Sequence, residues 1–283
     1  MRSFGSLDST QRSCVPSRSS RRLIRSWLFA PGHNQRILAK AFEVGADEVL
    51  LDLEDGVGPE FKEQARRQVV EVLSDRPAWV RINPAGSPAA ELDLEAVGGL
   101  ADGIRVPKVE SAAEVSWVRE RLAGRDIGIT ASIESAVGVL SASAIASSAG
   151  VTSLTFGNVD FAADIGVDPH DLEATAHARS VIVLASRAAG IQPPSDGVFT
   201  NFKDGKGLRA ACVAARRLGF MGKSAIHPDQ VPLINDAFSP TPAELEWARR
   251  VVTAYRASRG AVTRVGEEMV DVPVYERAMR LLH

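Results

Sequence analysis

Short apolar runs alternate with segments of helical spacing from residue 23 to the end of the chain. Eight of these runs are predicted to be strands: residues 26–30, 48–53, 79–82, 104–107, 127–133, 153–156, 191–195 and 222–226. The run Val49-Leu50-Leu51 is continuous rather than alternating, as expected for a strand covered on both faces. Eight strands separated by helices favour a (β/α)8 TIM barrel, and an open doubly wound sheet is the competing architecture.

The two ends of the chain differ from this repeating pattern. Residues 1–22 are rich in Ser and Arg and lack an apolar stretch, so we expect a disordered N-terminal arm, with a transit-like leader as the alternative. We assign residues 23–236 to the barrel domain. Residues 237–283 contain helical spacing at 242–256, a polar link at 258–264 and a terminal helix at 274–282. This segment is too short for an independent domain and is predicted to be a helical arm packed on its own barrel or on a neighbouring subunit.

Composition restricts the possible partners. The 283 residues include 45% apolar residues, enough for one large domain, and the net charge of −2 provides no footprint for nucleic acid or an anionic membrane. Cys14 and Cys212 lack metal-binding or redox spacing, which suits a reducing compartment. No apolar run approaches the ~20 residues of a membrane helix. We therefore expect a soluble, cytoplasmic protein with a small-molecule partner.

Polar residues follow most of the predicted strands, where a TIM barrel carries its active site. In chain order they are Asp52, Glu54 and Asp55, then Arg81 and Asn83, Lys108 and Glu110, Glu134, Asp160, Asp196, and His227.

Glu134 and Asp160 end two neighbouring strands and could hold one hard cation. Two carboxylates that leave other positions to water and substrate oxygens favour magnesium over zinc or calcium. Alternatively, each carboxylate pairs with an arginine or caps the following helix. The same alternatives apply to Glu54, which could be a catalytic-site residue or a helix cap beside an Asp55-Gly56 turn.

Basic residues could bind the anionic parts of a substrate. Arg81 has the fork geometry to clamp a carboxylate or stabilise an enolate, or else it pairs internally with Glu54 or Glu134. Lys108 could likewise bind a substrate or pair with an acidic side chain of the protein, and the structural pairing is favoured. Arg36 and Lys40 are four residues apart near the start of a predicted helix at 33–44, which suits either a phosphorylated ligand or a solvated basic edge.

Taken together, the motifs resemble those of the citrate lyase beta subunit family in the HpcH/HpaI aldolase superfamily, which includes malyl-CoA and citramalyl-CoA lyases. The matching segments are Arg25-Ser-Trp-Leu-Phe-Ala-Pro-Gly32, Asp52-Leu-Glu-Asp-Gly-Val57, Arg81-Ile-Asn83, Pro107-Lys108, Ile133-Glu134, Phe156-Gly-Asn-Val-Asp160, Asp164-Ile-Gly166, Ile226-His-Pro228, and Met269-Val-Asp271 with Pro273. The match extends from Arg25 to Leu282. Ser135, Val159 and Arg36 depart from residues common in the family, and these departures leave the acyl specificity open.

The resemblance implies a TIM-barrel carbon–carbon lyase, trimeric or hexameric, that uses Mg2+ to cleave or form a 3-hydroxyacyl-CoA thioester from an acyl-CoA and a 2-oxoacid. By position, Glu134 and Asp160 resemble the metal ligands, and Arg81 resembles the substrate-binding arginine, with Glu54 in the catalytic set. Asp271 resembles an acid/base residue supplied by a neighbouring subunit. The residues expected to contact coenzyme A are Phe29, Arg36, Lys40, Ile226 and His227.

Two other functions stay open at this point. One is a class II aldolase that acts on free hydroxy-oxoacids without coenzyme A. The other is a non-catalytic barrel that binds an acyl-CoA. An assay that showed binding of coenzyme A would argue against the aldolase of free acids. An assay that showed cleavage of a thioester would argue against the non-catalytic barrel.

Overall fold

A computed structural model describes residues 24–282, and eight parallel strands within this range form a closed barrel. The predicted N-terminal arm, residues 1–22, lies outside the described part of the chain. The strands are β1 (Ser26–Pro31), β2 (Glu48–Asp52), β3 (Trp79–Arg81), β4 (Gly103–Val106), β5 (Gly128–Ile133), β6 (Val151–Phe156), β7 (Ser195–Asp196) and β8 (Gly222–Ala225). Each pairs with its successor, and β1 closes the ring on β8. This arrangement confirms the predicted TIM barrel and excludes the open sheet.

Helices surround the strands and continue into the C-terminal segment. They are α1 (Gln35–Ala41), α2 (Lys62–Asp75), α3 (Pro88–Val97), α4 (Ala112–Arg121), α5 (Ala136–Ala146), α6 (Asn158–Ile165), α7 (Leu172–Ala188), α8 (Gly205–Leu218), α9 (Gln230–Phe238), α10 (Pro242–Ala257) and α11 (Val272–Leu282). None of the helices between residues 24 and 282 is long and apolar enough to cross a membrane.

Side-chain caps fix where several helices begin, and therefore where the preceding loops turn. The Ser135 hydroxyl, which follows Glu134, accepts a hydrogen bond from Gly138 N at 3.1 Å and starts α5. In α4 the Ser111 and Glu114 side chains form a capping box. Such caps satisfy backbone N–H groups that have no partner within the helix. The turn after β5 is consequently fixed at the residue beside Glu134.

The main hydrophobic core lies between the strands and the surrounding helices. The inside of the barrel is more polar. Hydroxyl pairs Thr130–Ser153 and Thr155–Ser195, each 2.8 Å apart, join neighbouring strands. Inside the barrel the Trp79 ring crowds Gly103, where an added Cβ would lie 2.4 Å from the ring. The interior of the barrel therefore combines aromatic packing with hydrogen-bonded polar side chains.

The C-terminal segment builds a second, smaller hydrophobic cluster. Helices α10 and α11 pack with a hairpin of β9 (Thr263–Val265) and β10 (Glu268–Val270) around Ala248, Val251, Val252, Val270 and Ala278. The predicted polar link at 258–264 missed this hairpin, since its strands have three residues each and carry little apolar periodicity.

The seventh strand and helix α6 also differ from the sequence prediction. The seventh strand was expected at 191–195, yet β7 contains only Ser195 and Asp196. Pro193 and Pro194 precede it, and proline has no N–H to donate to a strand ladder. Helix α6 was not predicted, because its eight residues are too few to show clear helical spacing. As a result Asp160 lies in the first turn of a helix rather than in a loop.

Candidate active site

The turns after β5 and β6 bring Glu134 and Asp160 to the same end of the barrel. Ile133 and Phe156 are paired in the parallel register, and Gly157 N donates to Ile133 O at 2.9 Å. Glu134 follows Ile133 directly, and Asp160 lies in the first turn of α6, which starts one residue after Gly157. The negative charge of Asp160 contributes to a raised pKa at Glu134. The two carboxylates thus form an electrostatically coupled pair.

Glu134 occupies a tight space with no hydrogen-bond donor. Glu134 is only 8% exposed, and no N–H or O–H group in residues 24–282 donates a hydrogen bond to its carboxylate. A Cβ added to Gly157 would lie 2.2 Å from Glu134 Cγ, so the absence of a side chain there makes room for Glu134. Burial, followed by the charges of Asp160 and Glu54, raises the Glu134 pKa to about 7. A buried, crowded carboxylate of this kind is stabilised by a cation.

Arg81 on β3 is held by two acidic residues from the end of β2. Its Nε and Nη2 donate to the two carboxylate oxygens of Asp52, both at 2.7 Å, and its Nη1 lies 2.7 Å from Glu54 Oε2. Although burial lowers the Arg81 pKa, the hydrogen bonds and charge of Asp52 outweigh it and raise the pKa. The guanidinium is therefore always charged and fixed in orientation, with two of its five N–H groups left for a ligand.

Glu54 links this arginine to the turn after β4. Lys108 Nζ donates to Glu54 Oε1 at 2.7 Å and to Asp55 Oδ2 at 2.8 Å. Lys108 has a φ of 52°, a left-handed conformation that costs energy for a residue with a Cβ. Burial raises the Glu54 pKa, and the charge of Arg81 and the Lys108 hydrogen bond oppose this effect. The structural pairing expected for Lys108 is the arrangement found here.

A second arginine, Arg105 on β4, lies inside the barrel next to Arg81. It is 1% exposed, and within residues 24–282 its side chain makes one hydrogen bond, from Nη1 to the Ser224 hydroxyl at 3.3 Å. Nε and Nη2 have no partner among the described residues. The guanidinium lies 4.5 Å from the Trp27 ring centre, and burial together with the Arg81 charge lowers the Arg105 pKa to about 9. Arg105 is therefore a buried cation next to Arg81 that lacks most of its hydrogen-bond partners within the described residues.

The residues expected to contact coenzyme A fall into three separate places. Phe29 belongs to the site, because the Arg81 guanidinium lies 4.6 Å from its ring centre. Arg36 and Lys40 are exposed, in the first and last turns of α1, which is shorter than the predicted helix. Ile226 is 43% exposed after β8, and the His227 ring stacks on Phe202 with centres 4.8 Å apart.

Asp271 lies outside the barrel in the C-terminal segment. Its Oδ1 accepts a hydrogen bond from Val274 N at 3.2 Å, and its carbonyl accepts one from Tyr275 N at 3.0 Å. These contacts place it at the start of α11. Within residues 24–282 of one chain, Asp271 makes no hydrogen bond or ion pair with Arg81, Glu54 or Glu134.

Comparison with known proteins identifies the family. The sequence model of HpcH/HpaI aldolase/citrate lyase matches residues 25–228. The chain belongs to this family. It is 35% identical to the citrate lyase subunit beta of Leuconostoc mesenteroides subsp. cremoris, covering 93% of this chain and 94% of the relative. It is 30% identical to the mitochondrial citramalyl-CoA lyase of Mus musculus, covering 91% and 85%.

A solved HpcH/HpaI structure is also similar. Protein CitE from Mycobacterium tuberculosis, in complex with magnesium, acetoacetate and coenzyme A, is 33% identical and aligns with a TM-score of 0.78 over 93% of this chain and 98% of that chain. These relatives confirm the resemblance inferred from the motifs and the prediction that the chain is an enzyme of the carbon–carbon lyase class.

The donor set in this HpcH/HpaI barrel fits magnesium better than a softer metal. No group of three or more His, Cys, Asp or Glu side chains in the described chain is arranged to hold a metal. Glu134 and Asp160 are a pair of hard oxygen donors, and magnesium commonly uses one or two carboxylates with water and substrate oxygens at the remaining positions.

Sequence reasoning missed three residues that shape the site. Asp52 was noted only as a polar strand end, although its two-residue spacing from Glu54 indicates a shared strand face. Arg105 could have been found as a charge within the apolar strand Gly103–Val106. Lys62 had no signal in the sequence, because its ammonium group reaches the site by donating to the backbone carbonyls of Leu53 and Glu54.

Proposed function

We propose that the protein is a magnesium-dependent lyase that cleaves or forms a 3-hydroxyacyl-CoA thioester of the malyl-CoA or citramalyl-CoA type. The products of cleavage are an acyl-CoA and a 2-oxoacid. The observation that carries this proposal is the Glu134–Asp160 pair beside Arg81, with Glu134 crowded against Gly157 and lacking a donor. The magnesium and coenzyme A in the similar CitE structure support it.

Glu134 and Asp160 would hold the metal, and Arg81 would bind substrate oxygens. Bound magnesium supplies Lewis-acid polarisation of the carboxylate and carbonyl oxygens of the 2-oxoacid. Arg81 has two N–H groups that are not used by Asp52 or Glu54, so it can donate to a carboxylate or enolate oxygen while its orientation stays fixed. A donor held in advance stabilises charge as it develops during the reaction.

The coenzyme A thioester would lie across the same end of the barrel. Phe29 provides an apolar surface next to Arg81. Arg36 and Lys40 are exposed cations that suit the phosphates, and exposed Ile226 with His227 provides a second contact region. These residues are assigned by their positions in the family motifs. A measurement of coenzyme A binding to the protein would distinguish this proposal from an aldolase that acts on free acids.

Asp271 would exchange the proton of the acyl methyl group. Since its contacts in one chain are with its own helix, this role requires that a neighbouring subunit supply it, in a trimer or hexamer. Asp271 is partly exposed and its second carboxylate oxygen accepts no hydrogen bond in the described chain, which leaves it able to accept a proton.

The decisive experiment is to incubate the protein with Mg2+, acetyl- or propionyl-CoA and a set of 2-oxoacids, and to identify the products by mass. Asp160→Ala is expected to abolish magnesium-dependent turnover and to leave the circular dichroism spectrum unchanged. Asp168→Ala changes an exposed aspartate in the loop after α6 and is the matched control, with full activity expected.

Unchanged turnover in Asp160→Ala would contradict the metal assignment. Binding of coenzyme A without any thioester formation or cleavage across the set would contradict the lyase assignment and favour a non-catalytic barrel.

A further inference from the structure

Lys62, the first residue of α2, reaches the turn that carries Glu54. Its Nζ donates to three acceptors: Leu53 O at 2.6 Å, Glu54 O at 2.7 Å and Asn83 Oδ1 at 2.8 Å. An ammonium group has three N–H donors, so all of them are used. None of the three acceptors is a carboxylate. Lys62 therefore binds the peptide backbone next to Glu54 instead of forming a surface ion pair.

The Lys62 contacts are anchored from the other side by buried groups. Asn83 donates from Nδ2 to Leu53 O at 2.9 Å and to Asp93 Oδ2 at 2.6 Å. Asp93 is fully buried and also accepts from Asn83 N at 2.9 Å and from Arg66 Nη1 at 3.1 Å. Such a network has few alternative arrangements, because each buried polar group would lose its partner in any other one.

The anchored backbone continues directly into the catalytic cluster. Val57 N donates to Glu54 O at 2.9 Å, so the carbonyl bound by Lys62 also closes the turn from Glu54 to Val57. The Glu54 side chain, 2% exposed, extends from this turn to Arg81 on one side and Lys108 on the other. A shift of the turn would therefore move Glu54, which with Asp52 is one of the two acidic partners of the Arg81 guanidinium.

We propose that Lys62 is a positioning residue of the lyase: it fixes the Glu54–Val57 turn so that Glu54 holds Arg81 in its substrate-binding orientation. This inference rests on the function proposed above. Lys62 itself does not touch the substrate and acts through Glu54.

The test is a double-mutant cycle with Lys62→Met and Glu54→Gln. Lys62→Met keeps most of the side-chain volume and removes the three donors. We expect its kcat/KM to fall by up to about 100-fold, the loss that a displacement of about 1 Å can cause in a catalytic site. Because Lys62 acts through Glu54, adding Lys62→Met to Glu54→Gln should cost little further activity. Lys62→Arg keeps a cationic donor and should recover part of the loss.

Pyruvate binding in the presence of Mg2+, measured by calorimetry, provides a readout that does not require turnover. Lys62→Met should weaken pyruvate binding in the wild-type background and leave it nearly unchanged in the Glu54→Gln background. If the wild-type protein binds pyruvate but cleaves no thioester, the proposed function fails while the positioning role is still measured. Lys206→Met is the matched control, since Lys206 is exposed in the first turn of α8 and makes no hydrogen bond or ion pair in the described chain.

Two results would overturn the positioning role. The first is full additivity of the two substitutions in both kcat/KM and pyruvate affinity. The second is a lower melting temperature in Lys62→Met and Lys62→Arg with wild-type kcat, KM and pyruvate affinity below the transition, which would make Lys62 purely structural.

Discussion

Gly157→Ala should disrupt the candidate metal site without unfolding the barrel. The backbone at Gly157 has φ −86°, which alanine adopts without strain, so the substitution acts through its Cβ alone. That Cβ would lie 2.2 Å from Glu134 Cγ and 2.7 Å from Glu134 Cδ. The Glu134 side chain must move by about 1.2 Å to reach the 3.4 Å of an ordinary contact.

A displacement of this size is large compared with what magnesium tolerates. Magnesium requires near-octahedral oxygen ligands at about 2.0–2.1 Å, and a well-formed site keeps these distances within about 0.2 Å. We therefore expect Gly157→Ala to weaken magnesium binding about 10- to 100-fold, as measured by calorimetry, and to lower turnover at limiting Mg2+.

Gly99→Ala is the control for this prediction. Gly99 follows α3, away from the catalytic end, and the nearest atom to an added Cβ there is 3.8 Å away. Its magnesium affinity and melting temperature should match the wild type. Wild-type magnesium affinity in Gly157→Ala, with the fold intact, would refute the view that Glu134 needs this space to act as a ligand.

Two buried charges give opposite predictions for stability. Asp196→Asn should destabilise the barrel by about 3–5 kcal/mol, because it leaves the buried cations of Lys223 and Arg179 without their carboxylate. Burial opposes ionisation of Asp196, but the charges of Lys223 and Arg179 and the hydrogen bonds to the carboxylate together outweigh burial and lower the Asp196 pKa. This contribution is therefore complete above about pH 4 and is lost as the pH falls through the folded-state pKa. Chemical denaturation at pH 7 and pH 3 should show a difference from wild type that shrinks in acid; a constant difference would be evidence against the ion pair. Arg105→Met should instead raise the free energy of unfolding by about 1–3 kcal/mol, because it removes a buried cation with two unpaired nitrogens. A lower melting temperature in Arg105→Met would show that its ring contacts with Trp27 outweigh desolvation.

The hydrophobic pattern was sufficient to predict the barrel. Seven of the eight strands fall within a few residues of the predicted runs, because most of these strands contain apolar residues that belong to the main hydrophobic core. The pattern was misleading at Pro193-Pro194, because these residues are apolar in character but have no N–H group to donate to a strand ladder. It was silent for the β9–β10 hairpin, which packs on the small C-terminal cluster through Val265 and Val270.

The sequence predicted the residues of the candidate site only where they lie at the ends of recognisable strands. Glu134, Asp160 and Arg81 follow or end strands, so the topology alone brings them to one end of the barrel. The space made by Gly157 depends on an interatomic distance that sequence does not contain. The Lys62 contacts could not be predicted either, because any residue supplies the carbonyls that Lys62 binds.

The residues proposed to take part in the reaction lie in two separately packed parts of the chain. The Glu134–Asp160 pair and Arg81 belong to the barrel, while Asp271 lies in the C-terminal segment that forms the small cluster of α10, α11 and the hairpin. If Asp271 has its proposed role, we expect substitutions in the small cluster to change proton exchange without disturbing the packing of the main core. Natural variation can therefore act on the segment that carries Asp271 and on the barrel end that carries Glu134, Asp160 and Arg81 one at a time.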